Sequence, residues 1–309
     1  MRYARASKKP EGQITRGKTA SNRLRRVDNF ILLYEPSLLT RTDGWVSDSL
    51  FVDLGYGSDA RTTLESVARF RRVNPNLKIL GVEIDKERVE AALPYDDDKT
   101  FFRLGGFNLP LKEGEHVRLI RAFNVLRQYE EKDFAPAYER LAQYVIPDGL
   151  MIEGTSNPFG SIWCANVARK ISNVTLREPL QGDRHLHLAQ VQVRVSEIES
   201  KRPFAAERLR VTNSWTIEAL VFSTNFRLGF DVEEFQTILP KNLIHHVVKG
   251  EPIYDFFEAW KQSTAETSHA KTFGARKWFI AAAERLAERG YDIATQGKWL
   301  AKGYLIWMV

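Results

Sequence analysis

Two periodicities alternate along the chain. Leu24, Val27 and Ile31 recur at i, i+3 and i+7, which predicts an amphipathic helix over residues 22–33. Its arginines form either a ligand face or the solvated side of that helix. Leu50-Phe51-Val52-Asp53-Leu54 is a short apolar run, as expected of a buried parallel strand. Gly55-Tyr56-Gly57 follows, and then Leu64, Val67, Ala68 and Phe70 share much of one helical face. Thr62 and Glu65 have the spacing of a capping box at that helix's start. Lys78–Asp85 predicts a second buried strand ending in acids, with a helix over Lys86–Leu93 behind it.

The second half is patterned differently. His185–Val195 alternates with period two, so it reads as a half-buried antiparallel strand, and Glu218–Phe226 reads as another. Ile253–Gln262 is a predicted helix. Trp278, Ala282 and Leu286 form a stripe along a further helix over Gly274–Arg289, with Gly290 as its C-cap. Tyr291–Ala294 and Tyr304–Val309 read as two final strands. Trp215, Phe222, Phe256, Phe257 and Trp260 either line a substrate pocket or, as such residues more commonly do, fill a core.

Composition narrows the class. The 309 residues are 43% hydrophobic and 27% charged, which is globular and argues against wholesale disorder. No run approaches the ~18–20 apolar residues of a membrane span, and the N-terminus lacks the apolar stretch of a secretory signal. The expectation is a soluble cytoplasmic protein with no membrane partner. The single cysteine, Cys164, excludes an internal disulfide and a cysteine-based zinc site. His185 and His187 share a strand face, but no third ligand accompanies them, so no metal is assigned.

The net charge of +6 is localised. Residues 1–26 carry nine basic side chains and the one acid Glu11, whereas the other 283 residues hold 36 basic against 38 acidic groups. Up to about Ala20 this segment lacks apolar periodicity and reads as a disordered or extended tail. A basic arm on a near-neutral body either binds phosphates, RNA among them, by counterion release, or simply keeps the chain soluble.

The candidate chemistry lies between residues 50 and 130. Gly55-x-Gly57-x-x-Ala60 matches a dinucleotide-type fingerprint, in which glycine permits a tight turn and close approach to a ligand. Two acids refine that reading. Asp53, at the strand tip, suits an ammonium or hydroxyl and would repel a pyrophosphate, which disfavours a nicotinamide dinucleotide. Glu83, at the next strand's tip, can accept both ribose hydroxyls; its other reading, and the stronger one for Asp85, is helix N-terminal charge.

Together these motifs resemble a class I S-adenosylmethionine (SAM)-dependent methyltransferase. Val52-Asp53-Leu54-Gly55-Tyr56-Gly57 is similar to that family's SAM-binding turn and Gly81-Val82-Glu83-Ile84-Asp85 to its ribose-binding acid. Gly105-Gly106-Phe107-Asn108-Leu109-Pro110-Leu111 resembles the loop along the adenine. Val117–Tyr129 resembles strand four and its turn, and Pro147–Thr155 the turn into strand five. With "NRLRRVD", "FNVLRQY" and "LPKNLIHH" added, the chain looks closest to a bacterial branch of that superfamily, which implies a reaction type and no particular acceptor. The resemblance implies SAM contacts from Asp53, Gly55, Tyr56, Gly57, Glu83, Ile84, Gly106, Phe107, Asn108, Phe123 and Asn124. Three positions depart from the family pattern. Asp59 replaces the third glycine, no acid stands at 106–108 to accept from the adenine amino group, and Arg118 stands where an acid is usual. Asn157-Pro158-Phe159-Gly160 looks like the N-P-P-[FY] motif of amino-group methyltransferases, but it follows strand five and reads as a turn.

The expected fold is α/β: a Rossmann-like, doubly wound, mostly parallel sheet with an antiparallel closing strand and an inserted α+β cap. The expected organisation is a tail over 1–20, a SAM-binding core over 21–170, a cap over 171–270 lying above the strand ends, and closing elements over 271–309. Asn124 and His246 are the candidate catalytic side chains, His246 (or His245) as a general base or else a hydrogen-bonded turn residue. The expected activity is methyl transfer from SAM to an acceptor the sequence does not name. The alternative is a non-catalytic nucleic-acid-binding or regulatory protein on the same fold.

Overall fold

A computed structural model describes residues 9–15, 17, 19–171 and 214–309. The strand and histidine pair read at 185–195 lie outside the described residues, as do the rest of 172–213 and the first eight residues of the tail.

Eight strands form one sheet in the order β3-β2-β1-β4-β5-β6-β7-β8. They are β1 Leu50–Leu54, β2 Ile79–Glu83, β3 Thr100–Leu104, β4 Val117–Phe123, β5 Val145–Ser156, β6 Ile162–Lys170, β7 Trp215–Thr224 and β8 Tyr304–Met308. The first five are parallel, with Asp53 beside Gly81 on one side and beside Arg121 on the other. β1, β2 and β4 are buried along their whole length, which is why β1 and β2 read as short apolar runs with an acid near the end. The chain moves outward from β1 to β3 and returns to β4 on the opposite side of β1. The carboxyl ends of β1 and β4 therefore flank the point where strand order reverses, where open α/β sheets bind ligands.

The other three strands are antiparallel and close the sheet. Their connections differ from expectation. β5 turns back at once through Asn157–Gly160, where the Gly160 amide donates to the Asn157 carbonyl (3.1 Å), so the tempting Asn-Pro string is a hairpin turn. The strand read at 218–226 is β7, inside the main sheet and not in a cap above it. Tyr291–Ala294 makes only a single bridge, Ile293 to Trp307. Lone apolar runs reveal a strand's existence; the sheet it joins is set by packing partners distant in sequence.

Helices α1 (Arg25–Tyr34), α2 (Arg61–Phe70), α3 (Lys86–Ala92) and α4 (Phe134–Ala142) accompany the parallel half. Val27, Phe30 and Ile31 bury the apolar face of α1 together with Phe51, Phe70 and Trp163. Helices α5 (Pro252–Glu266) and α6 (Ala275–Glu288) cover the antiparallel half. There Phe222, Phe256, Phe257, Trp260 and Phe279 interlock, with Phe256 stacked on Trp307 at 4.3 Å between ring centroids. Trp215 packs on Tyr138 in another core. The aromatic residues considered for a pocket wall are thus core. No helix of the described residues is long and apolar enough to cross a membrane.

Candidate functional site

The backbone at the tip of β1 bends through Gly55 (φ +70°) and Gly57 (φ +98°), both in the region that favours glycine. A side chain at Gly57 would also meet the Gly17 carbonyl at 2.7 Å. Helix α2 then begins at Arg61, and the Arg61 amide donates to Asp59 Oδ1 (2.9 Å). The expected capping box is absent. Thr62 lies inside the first turn, and its hydroxyl donates to Asp53 Oδ2 (3.1 Å) instead.

Asp53 is the main correction to the electrostatic picture. Its carboxylate is nearly fully buried and already paired. Thr63 Oγ1 donates to it at 2.8 Å, and Arg121 reaches it through Nε (3.1 Å) and Nη2 (2.7 Å). The same guanidinium pairs with Asp28, which also accepts from Ser66 (3.0 Å) and Arg69 (2.6 Å). Burial pushes the Asp28 carboxyl up, against the pull of Arg121 and Arg69. Burial opposes the charge on Arg121, but Asp53 and Asp28 more than offset it, so its guanidinium is held above its ordinary value. Two acids and two arginines leave this cluster neutral, so Asp53 offers no free charge to a cation.

Glu83, at the tip of β2, is equally buried. Its Oε2 accepts from the Gly57 amide (3.0 Å) and its Oε1 from the amides of Ile84 (2.9 Å) and Asp85 (3.3 Å). Burial raises its carboxyl from the ordinary value, while those three amides act in the opposite direction. Asp85 itself caps α3, accepting from the Glu87 (3.0 Å) and Arg88 (3.3 Å) amides, which matches its helix-terminal reading. Tyr56 is buried edge-on against Phe102 and is not a free ligand.

Asn124 follows β4 with φ +60°, a conformation asparagine tolerates better than most residues. Its amide N–H donates to the Gly154 carbonyl (2.8 Å), its side-chain oxygen accepts from the Ser156 amide (3.1 Å), and its side-chain nitrogen donates to Ser156 Oγ (3.3 Å). It therefore ties the end of β4 to the end of β5. Arg118, the other departure in this strand, staples the sheet's opposite end: it donates to the carbonyls of Ser49 (2.9 Å), Leu38 (3.0 Å) and Arg41 (3.1 Å). Burial lowers its pKa to about 10.

A cavity of about 640 Å³ opens between these strand ends. Asp53, Gly55, Tyr56, Gly57, Phe123 and Asn124 line it; so do Arg23, one of the arginines read as a possible ligand face, and Thr19, Arg127 and Gln128, which the sequence did not single out. His246 is elsewhere, with Nε2 2.6 Å from Glu131 Oε1 on the surface, so it is not a base in this cavity. His245 faces Lys241 (3.2 Å).

The other expected contacts meet the chain's own N-terminal segment. The described part of the tail is extended, and it is ordered against the body. The Phe107 amide donates to the Glu11 carbonyl (2.8 Å), the Glu11 amide to Asn108 Oδ1 (2.7 Å), and Asn108 Nδ2 to the Lys9 carbonyl (3.0 Å). The Gln13 amide donates to the Tyr129 hydroxyl, and Gln128 Nε2 to the Gln13 carbonyl (3.0 Å). Arg140 forks onto the Glu11 carboxylate at 2.9 Å twice, and Arg88 donates to the Thr15 carbonyl (2.9 Å). Glu83, Ile84, Gly106 and Phe107 line only about 20 Å³ of space beneath this segment, room for about one water molecule.

No protein-family model matches the chain, and no curated protein matches it. Solved structures similar to it include the plantazolicin methyltransferase BpumL in complex with a triazolic desmethylPZN analog and SAH (S-adenosylhomocysteine), at 14% identity and TM-score 0.32, with 44% of this chain and 47% of that one covered. The N-methyltransferase NodS from Bradyrhizobium japonicum WM9 is similar at 13% identity and TM-score 0.30, with 44% and 69% covered. Human N-acetylserotonin methyltransferase in complex with SAM is similar at 22% identity and TM-score 0.28, with 43% and 36% covered. The chain spans less than half the length of the first of these.

Proposed function

We propose that the protein is a SAM-dependent methyltransferase acting on an acceptor that enters beside the ends of β4 and β5. The observation that carries this reading is the meeting of the glycine bend after β1 with the buried Glu83 at the tip of β2, beside an open cavity at the strand-order reversal. The donor set fits the cofactor. Glu83 Oε2, which accepts a single amide, keeps an acceptor site for a ribose hydroxyl, Ile84 offers an apolar edge for the base, and the Phe107 amide with Asn108 Oδ1 forms a donor–acceptor pair matched to the edge of adenine.

When bound, SAM supplies a methyl carbon on a sulfonium; an acceptor lone pair takes that carbon while the sulfur–carbon bond pair returns to sulfur. The chain's own contribution is placement. Asn124, locked by three hydrogen bonds, fixes the floor between β4 and β5. Leu24, Leu54 and Phe123 supply apolar wall that limits water beside it. The arrangement asks for no strong base when the acceptor is already a good nucleophile. Among the described residues, the cavity wall includes neither histidine nor lysine.

Calorimetric titration with SAH and transfer of labelled methyl from SAM into cell extract test the reading. Binding that Glu83→Ala weakens at least tenfold, with label in one product class, is the expected result. NADH binding in place of SAH, to both the full chain and a chain lacking residues 1–15, would overturn it.

A further inference from the structure

The charge in the large cavity is lopsided. Among the described residues its charged side chains are Asp53, Arg23 and Arg127, and Asp53 is already neutralised by Arg121. Arg23 is anchored to the end of β5: Nε donates to Ser156 Oγ (3.0 Å) and the Asn157 carbonyl (3.1 Å), and Nη2 to the Ser156 carbonyl (3.0 Å). Its Nη1 makes no hydrogen bond among the described residues. Arg127, exposed just beyond the turn after β4, makes no hydrogen bond or ion pair among the described residues. Burial, then repulsion from Arg127, lowers the pKa of Arg23. Two like charges thus face one cavity with no further counter-charge among the described residues, one held at the end of β5 and the other just beyond the turn after β4.

We propose that Arg23 and Arg127 form an acceptor subsite for an anionic group, a carboxylate or phosphate, on the molecule that is methylated. Guanidinium groups fork onto such groups with two parallel hydrogen bonds. An exposed Arg127 meets the ligand from solvent, and the anchored Arg23 fixes its register. This inference rests on the methyltransferase reading for the acceptor's role and on the cavity alone for its charge. The test titrates the full chain with benzoate and with inorganic phosphate, with and without SAH, at low ionic strength. Binding of one anion that Arg127→Gln and Arg23→Lys each weaken at least tenfold, with SAH affinity unchanged within twofold, is the expected result. Anion affinity unmoved by either variant overturns it. So does a loss of SAH affinity without a loss for 5′-methylthioadenosine, because the pair then serves the cofactor's own carboxylate. Failure of SAH to bind at all would instead remove the methyltransferase reading, and the anion titration without SAH still decides the charge of the subsite.

A separate observation concerns residues 9–15. Their main chain takes up the Phe107 amide and both ends of the Asn108 side chain, the groups matched to adenine. They reduce the space beside Glu83 to about 20 Å³. We infer that this segment is a strap occupying the nucleoside half of the site, so that adenosine enters only as the strap leaves. Calorimetry with SAH on the full chain, on a chain lacking residues 1–15 and on Gly12→Val tests it. Gly12 has φ +140°, and a Cβ there would lie 2.7 Å from the Tyr129 hydroxyl, so the valine dislodges the strap without shortening the chain. At least tenfold tighter SAH binding by both variants is expected, with saturating SAH speeding hydrogen exchange at the Glu11 and Gln13 amides of the full chain. Equal affinities with those amides still protected overturn the strap and leave the methyltransferase reading standing. SAH binding to none of the three forms overturns both.

Discussion

Arg121 Nη2 lies 2.7 Å from Asp53 Oδ2, and both side chains are sealed from solvent. The acid whose position suggested a cation site is therefore a structural partner, tying β1 to β4 and, through Asp28, to α1. Removing the arginine leaves buried Asp53 without its counter-charge and Asp28 with Arg69 alone, which typically costs about 3–5 kcal/mol. Arg121→Met is expected to lose stability of that order in urea unfolding. Combining it with Asp28→Asn and Asp53→Asn is expected to restore part of the loss. A wild-type midpoint for the single variant would mean that the ion cluster contributes nothing.

Glu153 gives a pH signature. It is buried at the centre of β5, with Tyr138 (3.3 Å) and Asn166 (3.2 Å) donating to it, and burial pushes it from an ordinary 4.5 up to about 7. With the folded value raised above the unfolded one, the folded state keeps a proton that the unfolded state releases. Stability from this group is thus greatest below pH 4.5, falls as pH rises towards 7, and is flat above that. The shift corresponds to about 3 kcal/mol at most. Denaturation of wild type and Glu153→Gln across pH 4–8 should show the variant gaining on wild type over that window and no further. A constant difference across the range would place Glu153 in a more solvated setting.

The strand–glycine–helix unit was legible because its parts are consecutive: an apolar run, two glycines and a helical face within twenty residues. The acids at the tips of β1 and β2 were legible as positions; that Asp53 serves as a buried ion-pair partner was not. What neutralises Asp53 stands 68 residues away, and the Asn108 partner of Glu11 stands 97 residues away; local pattern carries neither. One signal was available. Arg118 and Arg121 interrupt an otherwise apolar strand, and an arginine in a strand buried on both faces needs carboxylates or carbonyls to receive it. Asp28, on the apolar face of α1, was the matching half. The tail's order was hidden for another reason: apart from the Glu11 carboxylate and the Thr15 hydroxyl it is held by main-chain groups, which any sequence supplies. Arg23 and Arg127 sat within quoted motifs, but only the return of β4 beside β1 brings them to one cavity.

Trp260 tests whether the aromatic cluster is core or pocket. It is wholly buried and packs against Phe222, Phe235 and Phe257. Truncating such a residue leaves a cavity and typically costs about 3–5 kcal/mol. Trp260→Ala is expected to lower the unfolding midpoint accordingly while leaving SAH affinity unchanged at temperatures where it stays folded. A selective loss of ligand binding at unchanged stability would return these rings to the site.

At Gly106 the strap's main chain lies close against the body. A Cβ there would lie 2.0 Å from the Glu11 carbonyl oxygen and 2.8 Å from its carbon, both main-chain atoms that cannot rotate aside. Alanine at 106 therefore either displaces the strap or shifts the loop that carries Phe107 and Asn108. The strap is the cheaper to move, because most of residues 9–15 are exposed whereas the loop is anchored by the Gly105 amide donating to the Glu83 carbonyl (3.0 Å). Gly106→Ala is expected to free the Glu11-Gly12 bond for cleavage by a glutamyl endopeptidase at least about tenfold faster than in wild type. The global unfolding midpoint should move little, since the strap buries few apolar side chains. Unchanged cleavage with a lowered midpoint would show that the loop yields and the strap stays seated.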